Sequence, residues 1–140
     1  MAAVAWGTAF AAHAALGGAE ATVQADSQQM NATQRVLRPG PYTVHEMQAP
    51  SGTVVRQYVS PQGIVFGVAW QGPTMPDLRQ LLGPYFERYV DAVAQRKARG
   101  PVFIEQPGFV VHSGGHMRGF AGRAYIPDAF PDGVSAESVK

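Results

Sequence analysis

The 140-residue chain contains no cysteine. Disulfides, zinc–thiolate sites, iron–sulfur clusters and thiol nucleophiles are thereby excluded. Any fold it adopts is held by its core. Lysine is scarce too, present only at Lys97 and Lys140; the other basic residues are arginines scattered along the chain. The formal net charge is +1, so no field draws the chain onto nucleic acid or an anionic membrane. No apolar run approaches the ~20 residues that span a bilayer, and no stable transmembrane anchor is expected. Catalytic fingerprints are missing as well. There is no glycine-flanked serine elbow, no Walker loop and no dinucleotide-binding glycine pattern.

What is present is an ordinary apolar content, 46%, enough for one domain with a core. Ala2 to Leu16 is almost wholly apolar and ends in Ala12-His13-Ala14, small residues at the −3 and −1 positions of a cleavage site. Residues 1–14 therefore read as a signal peptide, which places the mature chain in the periplasm or outside the cell. No basic residue precedes the apolar run, which a start site further upstream would explain.

Residues 15–41 are expected to be a polar N-terminal segment, a short helix or loop, broken by Arg38-Pro39-Gly40-Pro41. A core domain is expected over 42–127. Its first part reads as a meander: strands at Tyr42–Gln48, Thr53–Val59 and Ile64–Trp70, separated by Ala49-Pro50-Ser51-Gly52 and Ser60-Pro61-Gln62-Gly63. In the third strand Ile64, Phe66, Val68 and Trp70 should share one face. Thr74 and Asp77 suit a helix start, and Leu78, Leu81, Leu82, Tyr85, Phe86, Tyr89, Val90 and Val93 follow helical spacing. Gly83-Pro84 should kink that helix. Val102–Glu105 is a short strand, and Phe109–His112 should pair with Met117–Ile126 across a Ser113-Gly114-Gly115-His116 loop. Residues 128–140 read as a turn-rich tail. The expected fold is α+β: an antiparallel sheet, three-strand meander plus C-terminal hairpin, packed on one long helix kinked at Gly83-Pro84. Phe66, Trp70, Leu78, Leu82 and Phe86 would form the core between sheet and helix.

Polar chemistry concentrates in Val110–Tyr125. His112 and His116 are four apart, a metal-binding spacing on a helix, but Gly114-Gly115 argues for a turn. No carboxylate lies in the segment to complete a metal site, and none is assigned. Ser113 beside the histidines suggests a nucleophile next to a base, yet adjacent strand residues point to opposite faces. The remaining reading is a ligand site: His112, Ser113, Gly114, Gly115, His116, Arg118 and Arg123 gathered around an anion. No catalytic residue and no cofactor is assigned.

Three segments are also similar to a known family. They are Val65-Phe66-Gly67-Val68-Ala69-Trp70-Gln71-Gly72-Pro73-Thr74-Met75-Pro76-Asp77-Leu78, Leu81-Leu82-Gly83-Pro84-Tyr85-Phe86, and Val111-His112-Ser113-Gly114-Gly115-His116-Met117-Arg118. Together with Ala15-Leu16-Gly17-Gly18-Ala19 they resemble the DUF2844 family, small exported proteins of unknown function from Burkholderia-like proteobacteria. The resemblance implies an envelope or secreted location and transfers no catalytic residue.

The reading that results is an exported, non-enzymatic binding or interaction module whose partner is an unknown envelope component or a small anionic ligand, not nucleic acid. The alternative is a hydrolase or metal-dependent enzyme using His112, His116 and Arg118, which requires His45, Glu105 or Asp77 to converge on the same loop. N-terminal sequencing of the protein recovered from the envelope fraction should begin near Ala15; an intact Met1, or a pool confined to the cytoplasm, refutes export.

Overall fold

A computed structural model of the chain describes residues 15–23, 27–28, 31–96, 100–116 and 118–140; the expected signal peptide, 1–14, lies outside them. Seven strands form one fully antiparallel sheet: β1 (Thr33–Leu37), β2 (Thr43–Gln48), β3 (Val54–Val59), β4 (Val65–Gly72), β5 (Val102–Gln106), β6 (Phe109–His116) and β7 (Gly119–Tyr125), in the order β1-β2-β3-β4-β7-β6-β5. The expected α+β fold with one long helix is therefore wrong. The molecule is mostly β, and its helical residues lie over part of one face.

Two features account for the difference. The first is β1, which has no alternation of apolar residues; its sequence Thr-Gln-Arg-Val-Leu gives no strand signal. It is held as an edge strand by its partner β2. Arg35 meets Glu46 at 3.2 Å, and the Gln34 amide lies 2.9 Å from His45 Nδ1. The second is the helix. α1 (Leu78–Leu82) stops at Gly83, a 3-10 turn spans Gly83–Tyr85, and α2 (Phe86–Ala94) continues. Pro84 has no N–H to extend α1. Leu78, Leu81 and Leu82 of α1 are buried, but α2 buries no residue fully. Asp77 is the cap of α1, accepting from the Arg79 and Gln80 N–H groups, and Thr74 instead bonds Thr53.

The sheet is covered on both faces. The helix side holds Met47, Val55, Val68, Trp70, Phe109 and Val111 against α1, with Tyr85 stacked on Phe109 at 5.0 Å. Residues 15–23 complete this layer. Leu16 is fully buried, its N–H donates to the Leu81 carbonyl, and Gly17 and Gly18 bond to both main-chain groups of Val65. The opposite side holds Val44, Tyr58, Phe66, Ala69, Val110 and Tyr125 beneath the C-terminal residues, with Phe130 and the fully buried Val139 packed on them.

Phe66 is thus not on the face of Val68 and Trp70. β3 and β4 slip register at Tyr58/Val59: Tyr58 pairs with Gly67 and Val59 with Val65, so Phe66 is an inserted bulge residue. A bulge reverses the facing of everything beyond it. Trp70 stays on the helix side, where its indole lies over its cross-strand partner Gly122; any Cβ there would collide with the ring.

Leu82→Ala and Phe66→Ala should each lower stability by about 2–5 kcal/mol, as buried large-to-small changes do. Because the two side chains sit in different layers, their effects should add to within about 0.5 kcal/mol in the double variant. Denaturant titration of the single and double variants measures this; strong coupling would place both residues in one core.

Candidate functional site

The register of the sheet sets side chains in transverse rows. On the face away from the helices one row is apolar and covered: Val110, Tyr125, Gly67, Tyr58, Val44 and Leu37 are successive cross-strand partners. Val139 rests on the bare Cα of Gly67. The next row carries the chemistry. It runs through all seven strands as Phe103, His112, Arg123, Ala69, Arg56, Glu46 and Arg35. The third row is small and polar, with Gly114, Ala121 and Gln71 at its centre.

Charge is unevenly matched along the second row. Glu46 sits between Arg56, at 2.9 Å, and Arg35. Arg123 lies beyond the gap left by Ala69, and among the described residues no carboxylate reaches it. Its Nη1 donates instead to the carbonyls of Ala136 and Val139, at 3.1 and 3.3 Å. Arg56 Nη1 and the Tyr58 hydroxyl donate to the main-chain oxygen of Lys140. These bonds strap the C-terminal residues across the face.

Beside the strap, the second and third rows form a groove of about 460 Å³, lined by Arg56, Gln71, Pro101, Phe103, His112, Gly114, Ala121, Arg123 and Lys140 and bordered by Trp70, Ser113 and Gly122. Phe103 is 68% exposed, the most exposed large apolar side chain described. It meets the His112 ring edge-on at 5.2 Å. His112 Nε2 is shielded from solvent and has no hydrogen-bond partner. Glu105 lies 3.7 Å away, too far for a hydrogen bond.

The structure divides the residues expected to form one site. His112, Gly114 and Arg123 line the groove together. Ser113 borders it but is only 7% exposed, and the alternation of β6 sends its side chain through the sheet, toward the helix side. Residues 113–116 are not a loop: they continue β6 to the His116↔Gly119 pair. Gly115 (φ 129°) allows that close, since a Cβ would strike the Gly119 carbonyl; Arg118 (φ 68°) is exposed at the tip, away from the groove. The three acids and bases an enzyme would recruit do not converge. His45 faces the helix side, bonded to Glu20 at 3.0 Å, and Asp77 caps α1. Only Glu105 is near. The groove residues missed from sequence are Arg56, Gln71, Pro101, Phe103, Ala121 and Lys140. Pairing the short strand at 102–105 with 109–112 would have put Phe103 opposite His112, but nothing local points to Arg56 or Lys140.

The model of a family described as a protein of unknown function (DUF2844) matches residues 12–139, nearly the whole chain. Comparison with curated proteins and with solved structures finds no match. Among the described residues no helix is long and apolar enough to cross a membrane.

The strap has a titratable anchor. Burial pushes the Tyr58 phenol above its ordinary value of about 10, against a smaller opposing pull from its bond to Lys140. A raised value means the folded chain holds this proton more firmly than the unfolded chain. The contribution is complete below pH ~10 and is lost as pH rises above it. Half-buried Tyr89 shifts the same way. Thermal melts between about pH 9 and 11 should show falling stability, and Tyr58→Phe should flatten that slope while lowering neutral-pH stability by about 1 kcal/mol through its lost bonds. An unchanged slope would mean Tyr58 stays in solvent.

Proposed function

The chain belongs to the DUF2844 family, and from that premise and the groove we propose that it is an exported, non-enzymatic binding module for a small anionic ligand. The observation that carries the reading is one groove in which the exposed Phe103, the partnerless His112 Nε2 and the unmatched Arg123 meet. An exposed aromatic, an unsatisfied nitrogen and an uncompensated cation each lower the stability of the free protein. A ligand with an apolar body and an anionic end covers the aromatic and pairs the cation.

Binding is favoured over hydrolysis by geometry. His112 lacks an acid in hydrogen-bond range to orient it, and Ser113 points through the sheet. Export is supported by the apolar leader that ends in Ala12-His13-Ala14.

Native mass spectrometry of protein purified from the envelope fraction tests the reading. A bound small molecule should appear as a discrete added mass, absent from a Phe103→Asp variant that melts at the same temperature. A bare chain mass under all gentle ionisation conditions, or an adduct indifferent to Phe103→Asp, counts against the groove.

A further inference from the structure

The same groove indicates what kind of ligand it takes, an inference that rests on the binding reading above. Its floor is unusually bare. Gly114 and Ala121 are cross-strand partners in the middle of β6 and β7, and together they leave a shelf of backbone with almost no side chain on it. Gly114 is not there for backbone freedom: it has no left-handed φ, and a Cβ built on it would meet Pro101 only at ordinary contact distance, 3.5 Å. An alanine could occupy the position without strain. What a larger one would do is fill the shelf. Pro101 and Phe103 form the wall on the β5 side, and Arg123 lies one row in, beside His112.

A flat floor, an exposed aromatic wall and a guanidinium at the far side define a planar slot with a cationic end. We propose that the groove binds an arenecarboxylate, its ring lying on the Gly114–Ala121 shelf against Phe103 and its carboxylate meeting Arg123. The ring gains offset or edge contacts with Phe103 and removes its exposed surface from water. The carboxylate gains the planar guanidinium, which pairs with it through parallel N–H bonds and has no competing acid among the described residues. The charge of Arg56 is largely offset by Glu46. A volume of about 460 Å³ suits one or two fused rings, at the low end of ordinary small-molecule sites. A phosphate-rich ligand is disfavoured, because among the described residues no helix starts at the lining of the groove.

Isothermal titration calorimetry of the mature protein with three probes tests the class. 2-Naphthoate is the planar anion, 2-naphthamide the same plane without charge, and cyclohexanecarboxylate the same charge without a plane. 2-Naphthoate should bind, and each comparator should be weaker by about tenfold or more. Phe103→Ala and Gly114→Val should each weaken 2-naphthoate by about tenfold with the melting temperature unchanged. Arg123→Gln should erase the preference for acid over amide, a change that mere loosening of the strap would not produce. If either comparator binds as well as 2-naphthoate, or no probe binds, the arenecarboxylate assignment is overturned while the added mass in the native spectrum still decides the groove. If 2-naphthoate binds and neither Phe103→Ala nor Gly114→Val weakens it, the probe sits elsewhere and the arenecarboxylate assignment falls.

Discussion

The fold depends on one irregularity in its central strand. β4 is flanked by β3 and β7 and is buried along most of its length. A regular strand there would put Phe66 with Val68 and Trp70, loading one face with large side chains. The bulge at Phe66 moves that ring to the other side, where it meets Tyr58, Tyr42 and Phe130 at 5.3 to 6.2 Å. The displaced ring is what gives the second face a core, and the next residue, Gly67, leaves the depression that Val139 fills. A two-layer protein becomes a three-layer one, with helices on one side and a C-terminal strap on the other.

The strap in turn explains why polar residues lie across the sheet in a row. An apolar face beneath a short, irregular segment leaves main-chain carbonyls that need donors. Arg123, Arg56 and Tyr58 supply them to Ala136, Val139 and Lys140. Their bonds are structural, and their charges are a by-product available for binding. The strap covers the first row and the Ala69 position of the second. The groove is the part of the second and third rows it leaves open, bounded by the edge strand β5. Structure and proposed recognition therefore share residues, and Arg123 serves both.

The two edges of the sheet are unlike. β1 is short and polar, and its Arg35 pairs with Glu46. β5 is bounded by Pro101 and Pro107, and α2 reaches over its flanks: Arg88 donates to Gln106 and Pro107, and Arg96 to Pro101. Prolines and crossing arginines discourage pairing with another strand. Exposed Phe103 on such a guarded edge is better explained by a ligand in the groove than by sheet extension.

Local signals carried much of this. Turn residues at 49–52 and 60–63 and β-branched runs marked β2, β3 and β4 to within a residue or two. Leucine spacing and Gly83-Pro84 marked the helix and its break, and the absence of cysteine fixed how the fold is held. These features are legible because their causes are local: proline lacks an N–H, and β-branched residues prefer extended backbone. The rest depended on partners distant in the chain. β1 is a strand only because β2 offers it an edge. The bulge at Phe66 exists only in the register of β3 against β4. Gly114 read as a loop residue because glycine pairs mark turns, whereas the strand runs on to His116 and the bare positions face a groove. Arg56, Phe103, Arg123 and Lys140 are tens of residues apart, and only cross-strand pairing, which has no local code, brings them to one site.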